Sequence, residues 1–325
     1  MLGGYRHALG LALAFSLVGV WCFAQTQRVA VTASTSGFNI DFSRQPLPIF
    51  RGGIILARQL SPPGFSAFDV SGKLLHHQNI VIPGATSLTV DDVASTQNGE
   101  TIAVLVSATD ASGHFSSSIL LTGVNALETK AVRLDAFAPR RIIFGANNVL
   151  WAFGQSYDSS FREPADYDTL RSYDQNGKLL GSSVPRSTFR PTKASPSSES
   201  LIAVGKDRIG VLSLITSEWV EVSNEGQILG RGPVRIPENA DITGFAMTNS
   251  HEVFVTQQAI SAETKTATDA ITLRQLDKAT GELIRVDTQA VTKASNQGML
   301  LLGNQGDELV VRVKPPMSLS WVRVQ

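Results

Sequence analysis

The sequence predicts an all-β fold. Six four-stranded sheets stand around a central channel as the blades of a β-propeller, and a strand from the N-terminal end completes the last of them. Three observations carry this expectation. The first is a hairpin that recurs: Tyr173-Asp174-Gln175-Asn176-Gly177-Lys178-Leu179-Leu180 pairs an apolar-patterned strand with a polar turn ending in glycine and a second strand that begins Lys-Leu-Leu. The same pattern returns at 68–75 and 222–229 and, one residue longer, at 276–284. Its glycines at 72, 177, 226 and 281 lie 105, 49 and 55 residues apart, so the first gap is about two periods of the others. A degenerate copy at 119–123, followed by the strand-like stretch 129–134, fills that gap. Hairpins repeating every fifty residues or so are the sequence mark of four-stranded blades. The second observation is what is missing: no helical period and no proline- or serine-rich linker divides the chain. The third is that the last repeat is one strand short.

The elements follow in order. In the first repeat, 53–60, 65–70 and 73–82 read as second, third and fourth strands, bounded by Gly, Pro or Ser. The second repeat runs from 87–90 through the hairpin signal Asn98-Gly99 into 101–107, 117–122 and 129–134. The third takes 140–145, 149–153, 169–174 and 178–184; the fourth takes 201–204, 209–214, 218–223 and 227–234. The fifth takes 242–247, 252–257, 271–277 and 282–287. The last has only 299–302, 308–313 and 318–324, and Ser320-Trp321-Val322-Arg323-Val324 matches Glu218-Trp219-Val220-Glu221-Val222, which makes it a third strand. The unassigned, β-branched stretch 28–32 is positioned to supply the fourth. An open sheet edge is a liability, and joining the two termini in one sheet removes it.

Arg6 and His7 precede an apolar run from Ala8 to Ala24 broken only by Ser16, with small residues at Cys22 and Ala24. This predicts a signal peptide over 1–24, cut before Gln25, and a single domain over 25–325. Two other readings compete: an uncleaved anchor, since 17 residues reach the short edge of a bilayer span, and a lipoprotein acylated at Cys22, for which the bulky Trp21 is poorly suited. Cys22 is the only cysteine, so the mature chain forms no disulfide and depends on burial. That usage points to a secreted or periplasmic bacterial protein, expected to be a monomer with no membrane insertion after cleavage. Without Arg6 the chain carries 27 basic and 28 acidic side chains, which gives no field for nucleic acid.

On the hairpin pattern, residues 26–325 resemble six-bladed β-propellers in general, the broad group that holds the NHL-repeat and TolB-like proteins. The fuller NHL pattern, with proline and glycine leading into each first strand, is mostly absent. The resemblance implies the fold; the same fold hosts lactonases, other hydrolases, ligand binders and docking scaffolds.

Chemistry-bearing residues are sparse. His76 and His77 are adjacent on a strand and point to opposite faces. His114 and His251 belong to opposite ends of the ring, so no histidine pair converges on a metal. Asp91-Asp92 and Asp166-Tyr167-Asp168 lack the glycine of a calcium loop. Asp91, Asp92 and Asp241 are the inner-strand acids from which a lactonase-like metal site could be drawn, though strand-end and turn roles suit them better. No serine sits in a glycine-flanked elbow. Asp69, Asp174 and Asp277 recur at equivalent turn positions and read as backbone caps, and Trp219 and Trp321 read as packing between blades. No metal or cofactor is expected.

The functional expectation is an exported binding or protein-interaction scaffold for a protein or small-molecule ligand; the alternative is a metal-dependent hydrolase of lactonase type at the channel mouth. In each blade the second-to-third connections open on one end of the ring and the repeated glycine turns on the other. The former look long at 108–116, 155–168 and 258–270. The middle one mixes aromatic and charged side chains, types favoured in recognition. The expected rim is Tyr157, Phe161, Arg162 and Tyr167, with His114 and Arg140 from neighbouring connections.

Overall fold

The computed structural model describes residues 27–36, 38, 48–124, 129–134, 136–292, 298–314 and 318–325; the predicted signal peptide and its cleavage point lie outside them. The described residues are all-β, with 24 strands, two 3-10 turns and no α-helix. The first strand of the chain, β1 (Val29–Ser36), belongs to the last sheet. The first sheet is β2 (Ile49–Arg51), β3 (Ile54–Leu60), β4 (Pro63–Asp69) and β5 (Leu74–Asn79). The second is β6 (Ala85–Ser95), β7 (Thr101–Asp110), β8 (Phe115–Gly123) and β9 (Thr129–Arg133). The third is β10 (Phe137–Phe144), β11 (Leu150–Ser156), β12 (Asp168–Tyr173) and β13 (Leu179–Pro185). The fourth is β14 (Ser200–Val204), β15 (Arg208–Ser213), β16 (Glu218–Ser223) and β17 (Ile228–Pro233). The fifth is β18 (Ala240–Met247), β19 (Val253–Ile260), β20 (Ala267–Leu276) and β21 (Leu283–Arg285). The sixth is β22 (Gly298–Gln305), β23 (Glu308–Lys314) and β24 (Ser318–Val324), with β1 paired outside β24. Five are antiparallel meanders of four consecutive strands and the sixth is a three-strand meander completed by β1, so every strand predicted from the sequence has its counterpart.

Burial follows position in the sheet. Second strands are apolar on both faces: Ile102 to Val106 in β7 and Leu150 to Phe153 in β11 are all buried. A strand whose side chains are buried on both faces reads as a continuous apolar run rather than an alternation, which is why these were legible. Fourth strands such as β5 and β17 are mostly exposed. Six apolar clusters join successive sheets. The sixth of them joins the last sheet to the first through Phe50, Ile55, Leu302, Val310 and Trp321. There Trp321 meets Phe50 edge-on at 6.1 Å and donates its indole N–H to Gln305 at 2.8 Å. Trp219 is likewise buried between the fourth and fifth sheets, in the packing role expected of both tryptophans.

The recurring turns explain themselves in atomic terms. Asp69 Oδ1 accepts the backbone N–H groups of Ser71 and Lys73 at 2.9 and 3.0 Å and the Ser71 hydroxyl at 2.6 Å. Those bonds, the hydroxyl foremost, hold its carboxyl below the ordinary range. Gly72 sits at φ +89°, where a side chain is disfavoured. Gly281 is doubly constrained: φ is +75°, and a Cβ would stand 2.4 Å from the Pro233 carbonyl oxygen.

Two expectations about connections are corrected. The links expected to be long at 108–116 and 258–270 are short, because β7 continues to Asp110 and β8 begins at Phe115, while β19 continues to Ile260 and β20 begins at Ala267. In the first case the reason is another copy of the turn. Asp110 Oδ1 takes the N–H groups of Ser112 and His114 at 2.8 and 3.0 Å, with Gly113 at φ +81°. In the second, pairing continues outward to Ile260 and Ala267.

Candidate functional site

The connection from Tyr157 to Tyr167 is the one that stays long, and its two halves differ. The second half is tied down. Tyr167 donates its hydroxyl to Glu163 Oε1 at 2.6 Å and lies 3.1 Å from Ser195 Oγ. Burial first, then the bond to Glu163, raises its pKa above the ordinary phenol value. Glu163 meets Arg186 at 3.5 Å, and Asp166 accepts the Ser187 N–H at 3.0 Å. Tyr167 is therefore the post that holds this loop.

The first half is another copy of the five-residue turn. Asp158 Oδ1 accepts the N–H groups of Ser160 and Arg162 at 2.8 and 2.9 Å, and the Asp158 carbonyl accepts from Phe161 at 3.0 Å. Phe161 occupies the position held by Gly72, Gly113 and Gly177 elsewhere. It takes φ +57° and is 62% exposed. Arg162 projects beside it, its side chain 79% exposed, with Asp158 at 3.5 Å as its ion-pair partner. Tyr157 accepts a hydrogen bond from Gln155 at the base of the turn.

The other two predicted rim residues lie elsewhere. His114 ends the Asp110 turn, its ring 3.4 Å from the Asp110 carboxylate and 71% exposed. Arg140 is not in a connection at all: it lies within β10, beside the bulge between Pro139 and Arg141, and faces Asp91 at 3.9 Å. Its neighbours Pro139 and Arg141 pair with Gly154 and Phe153 on β11, so the position is the bulge of a strand rather than a loop. No hydrogen bond or ion pair joins the 157–167 loop to His114 or Arg140 among the described residues.

The structure also holds a cavity that the sequence did not disclose. About 380 Å³ in volume, it is lined by the first strands of all six sheets, including Arg51, Asp92, Arg141, Ile202, Phe245 and Leu301. Its walls come from the ends of β2, β6, β14 and β22 nearest their hairpin turns, which is the end of the sheets opposite the 157–167 loop. Asp92 is buried and accepts the Ile142 N–H at 2.9 Å. Burial pushes its carboxyl up, against the pull of Arg141 and of that hydrogen bond. Arg141 donates Nε to the Ser200 carbonyl at 2.6 Å and Nη1 to the Arg140 carbonyl at 3.0 Å; Arg58 donates to the carbonyls of Asp91 and Val90. Next to it, Asp91 accepts the Ser107 hydroxyl. Among the described residues no three His, Cys, Asp or Glu side chains gather, and no helix is long and apolar enough to cross a membrane.

No family model and no curated protein matches the chain. Among solved structures it is similar to a candidate exported protein from Bacteroides fragilis, with a TM-score of 0.52 at 10% identity over 92% of this chain and 96% of that one. It is also similar to a protein of unknown function from Bacteroides caccae, TM-score 0.45, 14% identity, 82% of each chain. A third is the β-propeller domain of the Trilobed protease from Pyrococcus furiosus, TM-score 0.41, 10% identity, 83% of this chain and 78% of that one. At such identities the first of these speaks to the fold alone.

Proposed function

We propose that the chain is an exported six-bladed β-propeller, one domain closed by its N-terminal strand, that binds a protein partner through the tip of the 157–167 loop. Export rests on the apolar run ahead of Gln25 and the small residues at Cys22 and Ala24. The ring rests on six consecutive four-stranded sheets, on the packing of the last against the first, and on β1 at the edge of the last.

One observation carries the binding assignment, and it is Phe161. A non-glycine residue in the left-handed region costs about 1–2 kcal/mol, and this one also leaves an aromatic ring in water. The turns closed by Gly72, Gly113, Gly177 and Gly226 avoid that cost with glycine, and the one other non-glycine residue in this kind of turn, His251 at φ +69°, is half-buried rather than exposed. A residue that works against folding and contributes no packing of its own is accounted for by a contact outside the chain. Arg162 beside it supplies a charge for an acidic group on the partner. Tyr157 and Tyr167 support the tip from below. The hydrolase alternative draws less support, because the cavity is lined by three arginines and one carboxylate, a set that repels a metal cation.

Phe161→Gly is expected to leave stability unchanged or raise it by up to about 1 kcal/mol, while Phe161→Ala and Arg162→Ala each weaken partner binding by about 2 kcal/mol or more. A photo-crosslinking residue at 161, compared with one at Lys73 on the opposite end, should capture one defined protein in the native producer. Equal capture from both positions, or a loss of stability in Phe161→Gly, would remove the proposal.

A further inference from the structure

Arg51 is the odd member of the cavity. Its Nε is buried without a hydrogen-bond partner, and among the described residues no ion pair reaches its side chain. Burial pushes the guanidinium down to about 10, so at neutral pH it is still charged. Arg58 and Arg141 spend donors on backbone carbonyls, which satisfy hydrogen bonds but cancel no charge, and Asp92 is the single carboxylate in the lining. The cavity therefore holds an excess of positive charge in a space walled mainly by apolar groups, among them the half-buried Ile49, Ile143, Ile202 and Phe245, with Ser95, Thr243 and Asn304 as its neutral polar members. Leaving a half-buried cation unpaired is costly, and folding gains nothing from it. An apolar pocket with one charged group set to orient a ligand is the usual build of a small-molecule site, and this one lies at the small end of the range.

We propose that this cavity binds a small carboxylic acid with an apolar body, its carboxylate paired with Arg51 and its body laid against Ile49, Ile143, Ile202 and Phe245. One free guanidinium matches one carboxylate in a two-bond pairing. A phosphate dianion would call for more free donors than Arg51 supplies, and a neutral ligand would leave the Arg51 charge unanswered. The site is separate from the loop tip, and the reading stands whether or not the loop binds a protein.

The test is titration calorimetry of the mature chain with octanoate and 2-naphthoate, each against its neutral amide. At least one acid should bind one-to-one with a Kd below about 1 mM, and its amide about tenfold or more weaker. Arg51→Met should bring the acid to the affinity of the amide while raising the thermal midpoint by about 2–4 °C, since an unpaired, half-buried cation has been removed. Phe161→Gly should leave acid binding unchanged, which keeps this result apart from that of the loop. Acid and amide binding alike, no acid binding below about 1 mM, or an Arg51→Met protein with undiminished acid affinity would overturn the proposal. The comparison of acid with amide needs no variant, so it decides the matter even if Arg51→Met folds poorly.

Discussion

Deleting residues 27–36 is expected to unfold the protein or drive it to aggregate. β1 pairs with β24 from Val29 opposite Val324 to Ser36 opposite Ser318, with one bulge between Val31 and Ala33. It is also tied to the fifth sheet's trailing segment, where Val29 donates to the Asp287 carbonyl at 3.0 Å and Asp287 donates to Gln27 at 2.8 Å. Val29 itself is buried in the cluster that joins the fifth and sixth sheets. At about 1 kcal/mol for each backbone bond, the loss amounts to roughly 5–10 kcal/mol, comparable with the whole stability of a domain. The chain left behind carries the bare edge of β24, a template for association. Denaturant unfolding followed by light scattering reads both effects; a truncated chain with the parent's midpoint would mean that β24 does not need this partner.

The next largest effect is expected where the fourth and fifth sheets meet. Glu221 is buried, its side chain 4% exposed, and its carboxylate is held by Lys278 and, at 3.4 Å, by Arg208. Lys278 also donates to the His251 carbonyl at 2.6 Å and lies 5.5 Å from the centre of the Trp219 ring. Replacing both cations, Arg208→Met with Lys278→Met, strands a carboxylate in the interior and should cost about 3–5 kcal/mol. Adding Glu221→Leu to that pair should recover most of the loss, because three apolar groups then occupy the place of three charges. A triple variant no more stable than the double would show that the charges matter less than the shapes of these side chains.

The legible parts of the molecule are those whose physics is local. Gly72, Gly177, Gly226 and Gly281 stand out because a positive φ demands glycine in a tight turn, and the second strands stand out because both their faces are buried. The pairing of β1 with β24 was readable by subtraction, since the last repeat lacked one strand. β2 was not, being three residues long beside Pro48, and β6 was read only over 87–90, while its buried later part at 92–95 went unassigned. The Asp110 turn was written in the sequence as Asp-Ala-Ser-Gly, close to the Asp-Val-Ser-Gly of 69–72, and only its place between second and third strands hid it. At Asp158 the signal is masked by Phe161 standing where glycine is the rule. Of the cavity, the sequence showed only Asp92, as one of the inner-strand acids. The cavity walls are short runs of ordinary type drawn from six sheets, such as 201–204 and 301–304, and Arg51 looks like any arginine until the fold half-buries it.

The loop tip and the cavity have fixed positions relative to each other only if the six sheets close into one ring, and that closure can be tested with a covalent bond. Ser34 and Ser320 are directly opposed across β1 and β24, their hydroxyls 3.4 Å apart. Opposed residues in antiparallel strands have Cα atoms about 4.5–5.5 Å apart, within the span of a disulfide. In a Cys22→Ser background, Ser34→Cys with Ser320→Cys should oxidise to a single intramolecular disulfide, run faster on a non-reducing gel, and gain about 2–4 kcal/mol of stability that is lost on reduction. A pair of cysteines that stays reduced under mild oxidation, or that links one chain to another, would contradict the closed ring.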